Sequence, residues 1–273
     1  MGPTDEPALR VAFPASHGGS GFAAVVAAVE AGRLSGVAPV LLISNNSAAE
    51  AMERARAARV PRLHLSRATH PDPEALDLAI CRALDGSRAD IVLLAGYVRK
   101  LGPEPLRRYD GRVLNCHPAL LPRFGGPGMY GRRVHEAVRA ARETVTGATV
   151  HQVDGEYDHR PVLAYREVRV RPDDTPASLE VRVKEAEASL LVETLRGLRG
   201  SPGLLKAPSP APCPGGGAGQ DSGPGPAGCR CGSMGARRLC PGGARPRGAP
   251  GARERPVLRP GTVGGRSPRE IAT

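Results

Sequence analysis

An α/β fold, with an open and mostly parallel sheet covered by helices on both faces, is what the first 200 residues predict. Three observations carry that expectation. Short apolar runs alternate with longer amphipathic stretches, as in strands joined by crossover helices. The first strand leads into a glycine-rich turn, Ser16-His17-Gly18-Gly19-Ser20-Gly21-Phe22, that opens a helix. A later strand runs into Asn115-Cys116-His117-Pro118, which places polar, chemistry-bearing residues at a strand's carboxyl end, where open sheets bind ligands.

Taken in order, Leu9 to Pro14 reads as the first strand and Gly21 to Ala31 as its helix. Val37 to Ser44 is a second apolar run, followed by a helix over Ala48 to Arg59 and a short third strand at Leu63 to Leu65. Pro73 to Leu84 is helical, and Ile91 to Leu94 is the fourth strand. Arg112-Val113-Leu114 leads into the Asn-x-His stretch as a short buried strand. Val134 to Arg142 reads as a helix, and Ala148 to Val153 with Val162 to Val170 as two more strands. Leu179 to Leu198 closes the unit as an amphipathic helix, with apolar residues recurring at Leu179, Val183, Ala186, Leu190 and Leu191. There is no internal repeat.

Composition divides the chain at about residue 200. Of the last 73 residues 30 are Gly or Pro, and none is Phe, Tyr or Trp, so this stretch cannot bury enough apolar surface to offset the entropy of ordering. The expected organisation is a folded catalytic domain over 1–200 and a Gly/Pro/Arg-rich low-complexity tail over 201–273. A genuine disordered tail and a reading-frame slip in G+C-rich DNA both account for that composition.

Charge follows the same boundary. The tail carries +8 of the total +11, leaving +3 on the first 200 residues. The tail's basic residues are scattered arginines with no aromatics interleaved for stacking, which argues against a nucleic-acid partner. Four of the six cysteines also lie there, at Cys213, Cys229, Cys231 and Cys240, in spacings that match no zinc pattern, so no metal is expected. Cys81 and Cys116 read as free thiols of a reducing compartment. With no signal peptide, no 18-residue apolar run and no myristoylation pattern, the expectation is a cytoplasmic protein without membrane contact.

The chemistry concentrates in two places. Asn115 and His117 are two apart, so in a strand that persists through them they share one face while Cys116 takes the other. An amide donor beside an imidazole suits a reaction in which oxyanion charge develops, as in acyl transfer. Pro118 and Pro122 keep the next segment an ordered loop. The glycine turn can bring backbone N–H groups to an anion, although it lacks the Lys of a Walker loop and the spacing of G-x-G-x-x-G.

Asn115-Cys116-His117-Pro118-Ala119-Leu120-Leu121-Pro122 resembles the signature of the folate-dependent formyltransferases. Gly155-Glu156-Tyr157-Asp158-His159-Arg160-Pro161-Val162 resembles that family's second motif, and Ala95-Gly96-Tyr97-Val98-Arg99-Lys100-Leu101 its folate-side loop. Order and spacing agree over roughly residues 8 to 199. The resemblance implies a Rossmann-like fold and 10-formyltetrahydrofolate as co-substrate, with no metal. It is strongest to the branch that formylates glycinamide ribonucleotide in purine synthesis, and small molecules are therefore the expected partners of a monomer or homodimer.

Residue by residue, the resemblance makes Asn115, His117 and Asp158 catalytic. Arg99, Lys100 and Leu101 then line the pterin pocket together with Asn115, while Gly19, Ser20 and Gly21 hold the 5'-phosphate and Glu187 binds ribose hydroxyls. A carboxylate at Asp158 favours the protonated form of a nearby His117. Two positions depart from the pattern: Gly21 stands where many members have Asn, and Arg160, where the family commonly has Gly, sets a cation beside Asp158. The resemblance implies a cis bond at Leu121-Pro122, whereas an X-Pro step is trans by default. A formyltetrahydrofolate hydrolase and a non-catalytic folate- or nucleotide-binding relative remain as alternatives. The tRNA-directed branch is disfavoured, because this tail cannot form its nucleic-acid-binding barrel.

Overall fold

A computed structural model describes residues 7–155 and 161–200. In chain order the elements are β1 (Leu9–Ala15), α1 (Ser20–Glu30), β2 (Val37–Ser44), α2 (Glu50–Ala57), β3 (Arg62–His64), α3 (Pro73–Gly86) and β4 (Ile91–Leu94). They continue as α4 (Pro103–Arg108), β5 (Val113–His117), α5 (Arg132–Ala140), β6 (Val145–Gln152), β7 (Val162–Arg169) and α6 (Pro176–Gly200). The seven strands form one sheet in the order β3-β2-β1-β4-β5-β6-β7. Strands β1 to β5 pair in parallel, and β6 and β7 are antiparallel additions at one side. The strand order reverses between β1 and β4, so the turns after these two strands flank the crevice where such sheets take ligands.

The core lies on both faces of the sheet, and the period of two along each strand sorts residues between them. Val11 and Phe13 of β1, Ile91 and Leu93 of β4 and Leu114 of β5 pack with Phe22 and Val25 of α1 and Leu190 and Leu195 of α6. The alternate residues Ala12, Val92 and Val113 pack with Ile80 and Leu84 of α3 and Leu106 of α4. A smaller cluster joins Val134 and Val138 of α5 to Leu179 and Val183 of α6.

Helix ends follow local chemistry. Asp72 caps α3, its carboxylate accepting from the Ala75 N–H at 2.9 Å, with Pro73 in the first turn, where no backbone donor is needed. Before α6, the Thr175 and Ser178 hydroxyls each accept the other residue's backbone N–H, at 3.1 and 3.0 Å.

Several bounds differ from the expected elements: β6 begins at Val145 and α6 at Pro176, each three residues before the expected start, and α5 and β3 lie slightly earlier. α2 is shorter at both ends than Ala48 to Arg59, and α4 was not anticipated, its six residues being too short to show a helical period. The division at residue 200 rests on residues beyond the described ones. Leu121-Pro122 is cis.

Candidate functional site

Strand β5 runs through His117, so its residues alternate faces up to the end of the Asn-x-His stretch. Val113 packs on the α3 side and Cys116 turns towards α6, while His117, at the strand's end, lines the larger cavity together with His135 of α5. The register with β6 places His151 opposite Asn115 and Thr149 opposite His117. The Asn115 amide donates to Nε2 of His151 at 3.2 Å, and Nδ1 of His151 donates to the Gln152 carbonyl at 2.8 Å. A single neutral tautomer satisfies both bonds and holds the amide in one orientation. His117 is 3% exposed and donates from Nε2 to the Phe124 carbonyl at 2.7 Å. The Thr149 hydroxyl donates to the Ala119 carbonyl at 2.7 Å and accepts from the Leu121 N–H at 3.2 Å, clamping the loop that follows His117.

On the opposite face the Cys116 thiol hydrogen-bonds to Glu187 of α6. Burial pushes the Glu187 carboxyl up to about 7, against the opposing pull of Lys184 and of the thiol. Burial, with Glu187 alongside, holds Cys116 well above the usual thiol range, so it stays a neutral donor. One turn earlier, Lys184 pairs with Glu180 at 2.7 Å, and Arg132 reaches the same carboxylate at 3.1 Å. His135 of α5 lies beside this group, 1% exposed and pushed down by burial.

The glycine turn has the geometry that anion binding needs. Gly19 sits before α1 in the left-handed region, φ 59°, and a Cβ there would come within 2.8 Å of the Ala51 Cβ. Ser20 and Gly21 then present the first backbone amides of a helix whose first turn carries no acidic residue. A Cβ at Gly21 would lie 3.0 Å from Leu191 of α6, so the small residue suits the close approach of the two helices.

These groups surround a cavity of about 340 Å³ that reaches from Ser20 and Gly21, past Glu187 and Lys184, to Cys116, His117 and His135. A second cavity, of about 110 Å³, is bounded by Tyr97, Arg99, Lys100 and Leu101 on one side and His151, Val153 and Asp154 on the other. Asn115 lines both. Nine of the ten predicted site residues thus fall within the described structure. Eight border a cavity, and the ninth, Gly19, shapes the turn. Asp158 lies outside the described residues, as does Arg160. Among the described residues no group of three or more His, Cys, Asp or Glu side chains could hold a metal ion, and no helix is long and apolar enough to cross a membrane.

Comparison with known families accounts for this arrangement: the formyl transferase family model matches residues 9–195, spanning β1 to α6. The chain belongs to the formyl transferase family.

Its relatives include the chloroplastic phosphoribosylglycinamide formyltransferase of Arabidopsis thaliana, 37% identical over 187 residues that make up 68% of this chain and 64% of the relative. The phosphoribosylglycinamide formyltransferase of Mycobacterium tuberculosis is 42% identical over 161 residues, 59% of this chain and 73% of that protein. This chain therefore spans less than two thirds of the plant protein's length. Among solved structures, the phosphoribosylglycinamide formyltransferase of Bacillus halodurans superposes with a TM-score of 0.64 at 34% identity, covering 71% of this chain and 96% of the other.

Within this family member, sequence reasoning did not find His151, Thr149, Lys184 or His135. A polar residue in an apolar strand was the available sign for Thr149 and His151. Their partners follow only from the β5–β6 register, which local pattern does not contain.

Proposed function

We propose that the protein transfers the formyl group of 10-formyltetrahydrofolate to the primary amine of glycinamide ribonucleotide. The observation that carries this reading is the position of Asn115 where two cavities adjoin, both bounded by the folate-side loop and the larger reaching the anion turn as well. The names of the relatives support the same substrates.

In this reading the ribonucleotide phosphate rests on the amides of Ser20 and Gly21, the ribose hydroxyls donate to Glu187, and the pterin enters the smaller cavity beside Arg99, Lys100 and Leu101. The amine nitrogen attacks the formyl carbon, and the carbonyl electron pair moves onto oxygen. Asn115 donates to the resulting oxyanion with its remaining amide hydrogen, and His117 stabilises the same charge. Collapse of the intermediate breaks the bond to N10 of the folate. The proton lost by the amine passes to N10 with the help of Asp158, leaving a formamide and tetrahydrofolate. A cytoplasmic location belongs to the same proposal, supported by the free thiols of Cys81 and Cys116.

The test is turnover of 10-formyltetrahydrofolate by the full chain with and without glycinamide ribonucleotide. Formyl transfer only when the ribonucleotide is present is the expected result. Release of formate without it would assign the hydrolase instead, and binding of folate with no turnover would assign a non-catalytic relative.

A further inference from the structure

The anion turn and the folate-side loop leave different strands, yet the residue that begins the turn is bonded to the loop through its buried hydroxyl. Ser16, at the end of β1, is 1% exposed. Its hydroxyl donates to Oδ1 of Asn45 at 2.6 Å and accepts the Val98 N–H at 3.0 Å. Its backbone N–H donates to the Gly96 carbonyl at 3.2 Å, and its carbonyl accepts from the Asn46 amide at 3.4 Å. Next along the chain, the His17 carbonyl accepts the Ala51 N–H at 3.0 Å. Gly19 follows two residues later, and Arg99 directly follows Val98. The hydroxyl is thus bonded to both the loop after β2 and the loop after β4, at the switch point of the sheet.

We propose that Ser16 is a positioning residue that couples the two ligand subsites, so that occupation of the anion turn orders the folate-side loop and the reverse. The inference rests on the functional reading above. An anion on the Ser20 and Gly21 amides restrains the turn, and with it the direction of the Ser16 hydroxyl. That hydroxyl fixes the Val98 N–H and hence the backbone leading into Arg99, Lys100 and Leu101. The ordering cost is met by the first ligand and is not repeated for the second, which makes binding cooperative and reciprocal. A hydroxyl that served only to satisfy buried backbone groups would contribute to stability and leave the two affinities independent.

The experiment measures the affinity of the full chain for tetrahydrofolate, which carries no formyl group to transfer, with and without saturating glycinamide ribonucleotide. The wild-type chain is expected to bind the folate about fivefold more tightly or better when the ribonucleotide is present. Hydrogen exchange at the Val98 amide is expected to slow when the ribonucleotide binds alone. In Ser16→Ala the enhancement falls below about twofold, while each ligand alone still binds. Ser16→Cys, which keeps a weak donor and acceptor, restores part of it. If Ser16→Ala does not fold, Asn45→Ala takes its place, because loss of the acceptor frees the hydroxyl to turn away from Val98. Equal enhancement in wild type and variant, or none in wild type, overturns the inference while leaving the functional reading intact. A wild-type chain that binds neither ligand overturns both.

Discussion

Asn115 depends on a partner that no short motif reveals. His151 accepts one of its two amide hydrogens, so in the proposed reaction the amide is already oriented. Asn115→Ala is expected to lower kcat by about 10²- to 10³-fold, and His151→Leu by a smaller factor with the ribonucleotide KM unchanged. Steady-state kinetics on both variants checks this, and equal kcat in wild type and His151→Leu would remove His151 from the mechanism.

Glu187 supplies the pH dependence at this scale. Its carboxyl, held at about 7 in the fold against about 4.5 ordinarily, favours the neutral form in the native state. The native state therefore binds more protons than the unfolded chain between these values. Stability is fully present below about 4.5 and declines as pH rises to about 7, by on the order of 1–2 kcal/mol once the solvent in the cavity is allowed for. In the proposed reading the ribose hydroxyls need the carboxylate as acceptor, so the ribonucleotide KM is expected to fall as pH rises through 7. Glu187→Gln flattens both profiles and raises KM at pH 8 about tenfold. Denaturant melts and KM measured across this range test the two halves separately.

Among the elements, α1 and α3 begin differently and respond differently to substitution. Gly19→Ala forces a Cβ into the left-handed region and against Ala51, at a cost of at least about 1–2 kcal/mol, and it displaces the amides of Ser20 and Gly21. Both the melting temperature and the ribonucleotide affinity are expected to fall. Asp72→Ala removes the cap of α3, far along the chain from the turn, at about 1 kcal/mol, with kcat and KM unchanged. That contrast tests whether the turn is a binding element or merely a helix start.

Most elements were legible in the sequence because each carried its own period. The closing helix shows it plainly: Leu179, Val183, Ala186, Leu190 and Leu191 are all buried as their spacing requires. That Asn115 and His117 would border one site was legible for a different reason, since a strand places alternate residues on one face wherever it sits in the sheet, and both line the larger cavity. The contacts around that pair were not. Pairing of Asn115 with His151, of Cys116 with Glu187 and of Ser16 with Val98 depends on which strands and helices become neighbours, and local sequence carries no record of that choice.

At the level of the molecule, the three apolar clusters found among the described residues run from Leu9 to Leu198. A chain ended after Gly200 is expected to keep its kcat/KM within about twofold and its melting temperature within a few degrees, while its net charge falls from +11 to +3. Kinetics and a thermal melt of the shortened chain check this, and loss of activity on removal of 201–273 would give those residues a role in the domain.

Helix α6 contributes Leu190, Leu191, Leu195 and Leu198 to the largest cluster and also brings Lys184 and Glu187 to the cavity. During synthesis, β1, α1 and the glycine turn leave the ribosome more than 150 residues before α6 does. Until residue 200 clears the exit tunnel, Phe13 and Phe22 lack their covering helix and the larger cavity lacks a wall. The same event therefore seals the core and completes the cavity, so a nascent chain has no finished pocket to offer a ligand before it has the means to fold around one.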